Sequence, residues 1–327
     1  TEASQYFQAS ADINRALLAT DPGNKIYAGD LGFILGELSK LTSAKGDMKE
    51  AISQARESIL QCEKVATMDP EDTAAQIKAA MSWTNLYYIY FHNGNFADAE
   101  TAIDEFLKRN AILVDATPTA TKFAMLSSAW LDNRFDMQSR QGKWDKAIES
   151  LQSSLDFLQR CQQAADSKPE TFEPLIQLKK ITIAGLKLAR AGVETSESTV
   201  GVEPDVLYTA RVSAIFQAGF EGKLNKVIEM SQSIERQPSN NPFLLLSGNA
   251  VVARAFALCH RHLLDQPDSE QKSQQIGVSI QGVTQFLKPF FSHPSVLQNP
   301  SLLVTISQDP DFKSLREVTE FRNLFLR

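Results

Sequence analysis

Four short turns in this chain share one pattern: a glycine, a polar residue, an apolar residue, two more residues, then Ala or Val. They read GDMKEA from Gly46, GNFADA from Gly94, GKWDKA from Gly142 and GKLNKV from Gly222. The first three glycines stand 48 residues apart, twice in succession (46, 94, 142). A glycine can end a helix in a left-handed conformation that side chains resist. The apolar residue (Met48, Phe96, Trp144 or Leu224) is then placed to pin the turn against a core. The small Ala51, Ala99 or Ala147 lets the second helix approach the first closely. A chain punctuated in this way is a series of helix pairs built on one repeated unit.

The stretches between the turns agree. Apolar residues recur at helical spacing: Ala99, Ala102, Ile103, Phe106 and Leu107 form one stripe, and Ala147, Ile148, Leu151, Leu155 and Leu158 another. Alternating strand-like runs are almost absent. Further polar turns fall at DPGN 21–24, DPED 69–72, QPSNNP 237–242 and DQPDSE 265–270. The expected fold is all-α, an α-solenoid of antiparallel helix pairs. Helical repeats fill 1–190, with units near 25–70, 73–115 and 120–165. The polar segment GVETSESTVGVEPD breaks the register and predicts a loop over 191–207. Further hairpins and a capping segment then occupy 208–327.

Composition narrows the function classes. The net charge of −6, with no Lys/Arg run, disfavours nucleic acid as a partner. The most apolar stretch, FLLLSGNAVVARAFALC at 243–259, contains Asn249 and Arg254 and is too short to span a bilayer, so direct membrane insertion is not expected. Three scattered cysteines, Cys62, Cys161 and Cys259, do not form a disulfide framework and read as small core residues. Free thiols favour the cytoplasm. The start at TEASQYF, without Met, also fits a piece excised from a larger, membrane-anchored protein.

Residues 83–99 carry a family likeness. Trp83, Leu86, Tyr90, Gly94, Phe96 and Ala99 resemble the tetratricopeptide repeat: Trp, Leu three on, Tyr four on, then a Gly-x-aromatic turn and Ala. The pattern departs at Tyr87, where that family prefers Gly, and at Phe106, where it prefers Ala. Its repeat is also shorter, about 34 residues. The C-terminal order is similar to the tail of large bacterial serine/threonine kinases that carry such repeats. Asp309, Pro310, Asp311, Phe312, Leu315, Arg316, Phe321 and Leu324 match the closing DPDF-x-x-LR…F-x-x-L segment of those tails. The resemblance implies a regulatory or sensory helical domain. The kinase motifs are absent from this chain: there is no Gly-rich loop with a strand lysine, no His-Arg-Asp loop and no Asp-Phe-Gly.

No catalytic, cofactor or metal site is expected. GDLGFILG at 29–36 lies within a helical pattern and reads as close helix packing rather than a phosphate loop. CHRH at 259–262 offers at most two ligands on one helix face and reads as a core cysteine beside surface histidines. The acidic pairs Glu100/Asp104 and Asp145/Glu149 border turns and suit helix N-termini.

If the tetratricopeptide likeness extends to the concave face that the first helices line, the residues facing its groove in the second unit are Met81, Thr84, Tyr88, Phe91 and His92. In the third they are Ala129, Asp132, Asp136, Ser139 and Arg140, and in the first Phe33, Gly36, Lys40, Ser43 and Ala44. The partner-binding set is therefore Thr84, Tyr88, Phe91, His92, Asp132, Asp136 and Arg140. This lining lacks a Lys/Asn/Arg clamp for a terminal carboxylate. It suits a protein or peptide partner with apolar anchors and a basic residue near Asp132 and Asp136. In the competing arrangement Tyr88, Phe91 and His92 pack against a neighbouring helix. A small-molecule sensor, or an enzyme whose site the sequence does not reveal, remain the alternative functions.

Overall fold

The computed structural model describes residues 2–117, 121–163, 169–192, 201–236, 238–239, 241–293 and 305–325. It is 87% helical with no strands among these residues, and the helices pack in consecutive pairs. The protein is an all-α helical-repeat array.

The chain divides into two units, Thr1–Glu173 and Pro174–Arg327. Unit 1 holds α1 (Glu2–Thr20), α2 (Lys25–Ala44), α3 (Met48–Met68), α4 (Thr73–His92), α5 (Phe96–Ala116), α6 (Thr121–Arg140) and α7 (Trp144–Gln163). The division falls at Pro174, inside α8 (Pro169–Arg190). Unit 2 continues through α9 (Pro204–Phe220), α10 (Leu224–Arg236), α11 (Pro242–Leu264) and α12 (Glu270–Ser292), then a 3-10 turn Pro310–Leu315 and a short helix Thr319–Arg322. The expected loop at 191–207 falls mainly on 193–200, outside the described residues.

The four glycine turns close in the same way. Gly46, Gly94, Gly142 and Gly222 have φ of 88°, 77°, 70° and 70°. The next residue's N–H reaches back five residues to a helix carbonyl: Asn95 to Tyr90 at 2.9 Å, Lys143 to Gln138 at 2.8 Å, Lys223 to Ala218 at 2.9 Å. These are Schellman closures, which use carbonyls that the helix end would leave unpaired. Asp47 and Asn95 then cap the following helix through the N–H groups of Glu50 and Asp98. Ala51, Ala99, Ala147 and Val227 are fully buried, so the small residue after each turn sits where the paired helices come together. Gly192 makes a fifth left-handed helix end, which the sequence pattern did not single out.

The register of 48 extends beyond the turns. Ser58 donates its hydroxyl to the Gly32 carbonyl at 2.6 Å, tying α3 to α2. Ser154, two repeats on, donates to the Ser128 carbonyl at 2.9 Å, tying α7 to α6. In the intervening unit the equivalent pair is apolar, Phe106 and Ala80, both buried. GDLGFILG also serves packing. A side chain at Gly32 would lie 2.8 Å from Cys62 Sγ, and one at Gly36 would lie 2.7 Å from the Asn85 side chain.

Unit 2 is built around α9, α11 and α12. At Gly219 a Cβ would lie 2.5 Å from Ala255 Cα, so the backbones of α9 and α11 approach too closely for any side chain. Phe312, Leu315 and Phe321 of the closing segment enter this core. Arg254, the charge inside the apolar run of α11, is paired with Asp311 at 3.0 Å and stacks over Phe216 at 5.0 Å.

Candidate functional site: the outer face of α2, α4 and α6

The first helix of each pair in unit 1 turns one stripe outward. Phe33, Met81 and Ala129 occupy the same register position on α2, α4 and α6, and all three are exposed, Phe33 at 63%. Two turns further on stand Lys40 and Tyr88, exposed, and Asp136, half-buried. Helices that bury one face against their partner and another against the next pair leave this stripe to solvent. Its apolar residues therefore stand out.

Spacing along α4 orders its aromatic residues. Residues four apart lie on one face, so Tyr87 stacks on Phe91 with ring centroids 5.8 Å apart, and Tyr88 on His92 at 6.3 Å. Tyr87 and Phe91 form the inner pair and are buried. Tyr88 is 48% exposed and His92 is half-buried. Trp130 of α6 meets both tyrosines edge-on, Tyr87 at 5.1 Å and Tyr88 at 6.1 Å. Trp130 was not in the expected set. It holds the equivalent place on α6 to Ser82 on α4, so the repeat alone gave no reason to expect an aromatic platform there.

The remaining expected residues divide by burial. Thr84 is buried and donates to the Met81 carbonyl at 2.6 Å. The Arg140 guanidinium is buried between the rings of Phe91 and Phe96, at 5.0 and 5.3 Å, and pairs with Asp136 at 2.9 Å. Asp132 Oδ1 lies 2.9 Å from the Ser154 hydroxyl, whose one proton it shares with the Ser128 carbonyl. Of the seven, Tyr88 is the one presented to solvent. Thr84, Phe91 and Arg140 lie beneath the surface, and His92, Asp132 and Asp136 border it.

Trp83, Leu86 and Tyr90 face the other way. They floor a pocket of ≈ 390 Å³ between α3 and α5, with Arg56, Leu60, Glu63 and Asp98 around it. Trp83 Nε1–H donates to Glu63 at 3.1 Å, and the Tyr90 hydroxyl accepts from Arg56 at 3.1 Å. Arg109 also pairs with Glu63 and lies over the Trp83 ring at 6.0 Å.

Glu100 does more than complement a helix dipole. Nearly buried, it accepts from Gln138 at 2.9 Å, Gln141 at 2.9 Å and Lys143 at 2.8 Å, joining α5 to the α6–α7 turn. Burial pushes its pKa up, but the Lys143 and glutamine hydrogen bonds outweigh burial and hold the carboxyl below its ordinary value. Its stabilisation is therefore fully present above the ordinary glutamate range and is lost as pH falls through the lowered folded pKa. Asp104, one turn on, is raised by burial that Arg134 only partly offsets, and contributes with the opposite sign. Glu100→Gln is expected to flatten the acid limb of the stability curve of unit 1, measured by thermal unfolding between pH 3 and 7. An unchanged acid limb would remove Glu100 as its cause.

CHRH separates on α11. Cys259 is fully buried, and burial pushes its thiol up to about 12. His262 bonds the Phe220 carbonyl at 3.0 Å. His260 corrects the expectation of two surface histidines: it is buried and bonded to Ser279 of α12 at 3.1 Å. Burial also raises the Cys62 and Cys161 thiols, so all three cysteines keep their protons and act as core residues. Among the described residues no group of three or more His, Cys, Asp or Glu could hold a metal ion, and no helix is long and apolar enough to cross a membrane.

No protein-family model matches the chain, and no curated protein matches it. The fold and the outward stripe define the class: an all-α helical-repeat array with exposed apolar residues on first helices of unit 1.

Proposed function

We propose that the protein is an interaction module that takes a peptide or protein segment along the face of α2, α4 and α6. On this reading it serves as a regulatory or sensory part of a bacterial signalling serine/threonine kinase. One observation carries the binding face: exposed apolar side chains recur there at the repeat spacing, Phe33 and Met81 at one position and Tyr88 two turns beyond. Asp132 and Asp136 already hold Ser154 and Arg140, so the apolar anchors supply most of the affinity and the carboxylates border them. The order of the closing segment supports the kinase context.

A photocrosslinking side chain at position 81 or 88 should capture a partner, and one at the exposed Ile112 of α5 should not. In the Phe33→Asp/Tyr88→Asp variant, capture should fall by about tenfold or more. Equal capture from position 112, or capture indifferent to the double variant, would sink the reading. The pocket floored by Trp83 and Tyr90 favours a second reading, a small-molecule sensor, since its size and few convergent polar groups suit a ligand. A metabolite that raises the melting temperature of the protein but not of its Trp83→Leu variant would favour that reading.

A further inference from the structure

The register of unit 1 reaches further back than its three glycine turns. Counting 48 residues before α3 places α1 in the position of a second helix, not a first. Ala3 then aligns with Ala51, Ala99 and Ala147, and Ser10 with Ser58 and Ser154. Asp21-Pro22 after α1 aligns with Asp69-Pro70 after α3, and Asn24, the cap of α2, with Asp72, the cap of α4.

Contacts agree with the same order of helices, though not residue for residue. Arg15 of α1 grips Glu57 of α3 at 2.9 and 2.7 Å, and Glu63 of α3 pairs with Arg109 of α5. Lys64 donates to the Pro22 carbonyl at 2.6 Å and Lys25 pairs with Asp69 at 3.0 Å, so the two Asp-Pro turns lie side by side. Helix α1 stands beside α3 as α3 stands beside α5.

In every later unit the first helix covers the corresponding face. Ser58 and Ser154 donate into it, Ser150 donates to Gln138 of α6 at 2.8 Å, and Cys161 lies against the Thr121 carbonyl at 3.7 Å. On α1 that face is open. Tyr6 is 69% exposed, whereas its equivalents Gln54, Ala102 and Ser150 are 5%, 1% and 3% exposed. Ile13 and Leu17, aligned with Gln61 and Val65, are exposed as well, and so is Ala3. The three large exposed apolar residues of α1 all fall where the repeat seats a first helix.

We infer that α1 is the second helix of a further repeat, and that its Ala3–Tyr6–Ser10–Ile13–Leu17 face is the seat of a first-type helix. The occupant is an amphipathic helix of about five turns, antiparallel to α1 and supplied by the same polypeptide through a turn equivalent to Gly46–Asp47. An end helix that exposes its packing face is not a cap, because the end of a helical array is stable in water when its outer face is polar.

The experiment grafts the missing helix. A copy of residues 25–48 is joined directly to Thr1, which keeps the register, and hydrogen exchange is followed in α1 and in the graft. A second graft copies residues 73–96, in case the first does not accommodate Tyr6. At least one graft should become protected and slow exchange in α1 by roughly tenfold or more. Tyr6→Asp/Ile13→Asp should abolish that gain in the grafted chain and leave α1 exchange in the ungrafted chain unaltered. The inference is overturned if both grafts exchange freely. It is equally overturned if the ungrafted chain sediments as a dimer that Ile13→Asp dissociates, since a second copy would then be the occupant.

Discussion

Asp311→Ala is expected to destabilise unit 2 by about 3–5 kcal/mol, among the largest losses a single side chain here can cause. The Asp311 side chain is 2% exposed and meets the Arg254 guanidinium at 3.0 Å, with Asp309 at 3.9 Å as a second, looser partner. Asp309 Oδ1 in turn accepts the Asp311 N–H at 2.9 Å, so the two carboxylates are set by one short turn. Removing Asp311 leaves the Arg254 cation beside Phe216 without its nearer carboxylate. Hydrogen exchange in α11 together with urea unfolding measures the loss. Adding Arg254→Met should recover part of it, because the poorly compensated charge then disappears. A loss below about 1 kcal/mol would show that Asp309 takes over as the partner.

Phe106→Ala should cost unit 1 about 3–5 kcal/mol in chemical denaturation. Phe106 is fully buried, and its ring centroid lies 4.9 Å from that of Trp130. The neighbouring units hold the same position with a serine hydroxyl bonded to a backbone carbonyl. Alanine could neither fill the space nor make that bond, and helices fixed by glycine turns at one end cannot close the gap. Phe106→Leu should lose less than half as much. Equal losses for the two variants would point to a specific ring interaction rather than to lost volume.

Much of unit 1 could be read from the sequence because its determinants are local. A glycine that must adopt positive φ, an apolar residue two places on and an alanine three after that announce both the turn and the face that packs. What escaped is held by partners distant in sequence. Glu100 draws its donors from Gln138, Gln141 and Lys143, and nothing near Glu100 signals them. Arg254 looked like an interruption of an apolar helix because its counter-ion lies 57 residues downstream. His260 was misplaced because one glance along α11 cannot show that α12 covers it. In unit 2 the close approach of Gly219 to Ala255 follows no repeat, so no period revealed it. The candidate face was legible in outline, through positions rather than chemistry. Arg140 and Phe91 fall on the right side of their helices yet are buried by one another.

The constant spacing of the turns also bears on how such a chain can change length. Gly46 and Gly94 adopt the same conformation and are followed by equivalent buried alanines. A cut after one and a splice into the other would join like to like, with every helix, cap and closure intact. Lengths that differ by one whole period are therefore interchangeable to the local chemistry of the chain. Insertions of any other size would have to be absorbed in a loop. Growth and shortening of this array are quantised, and duplication of a single segment is enough to extend it.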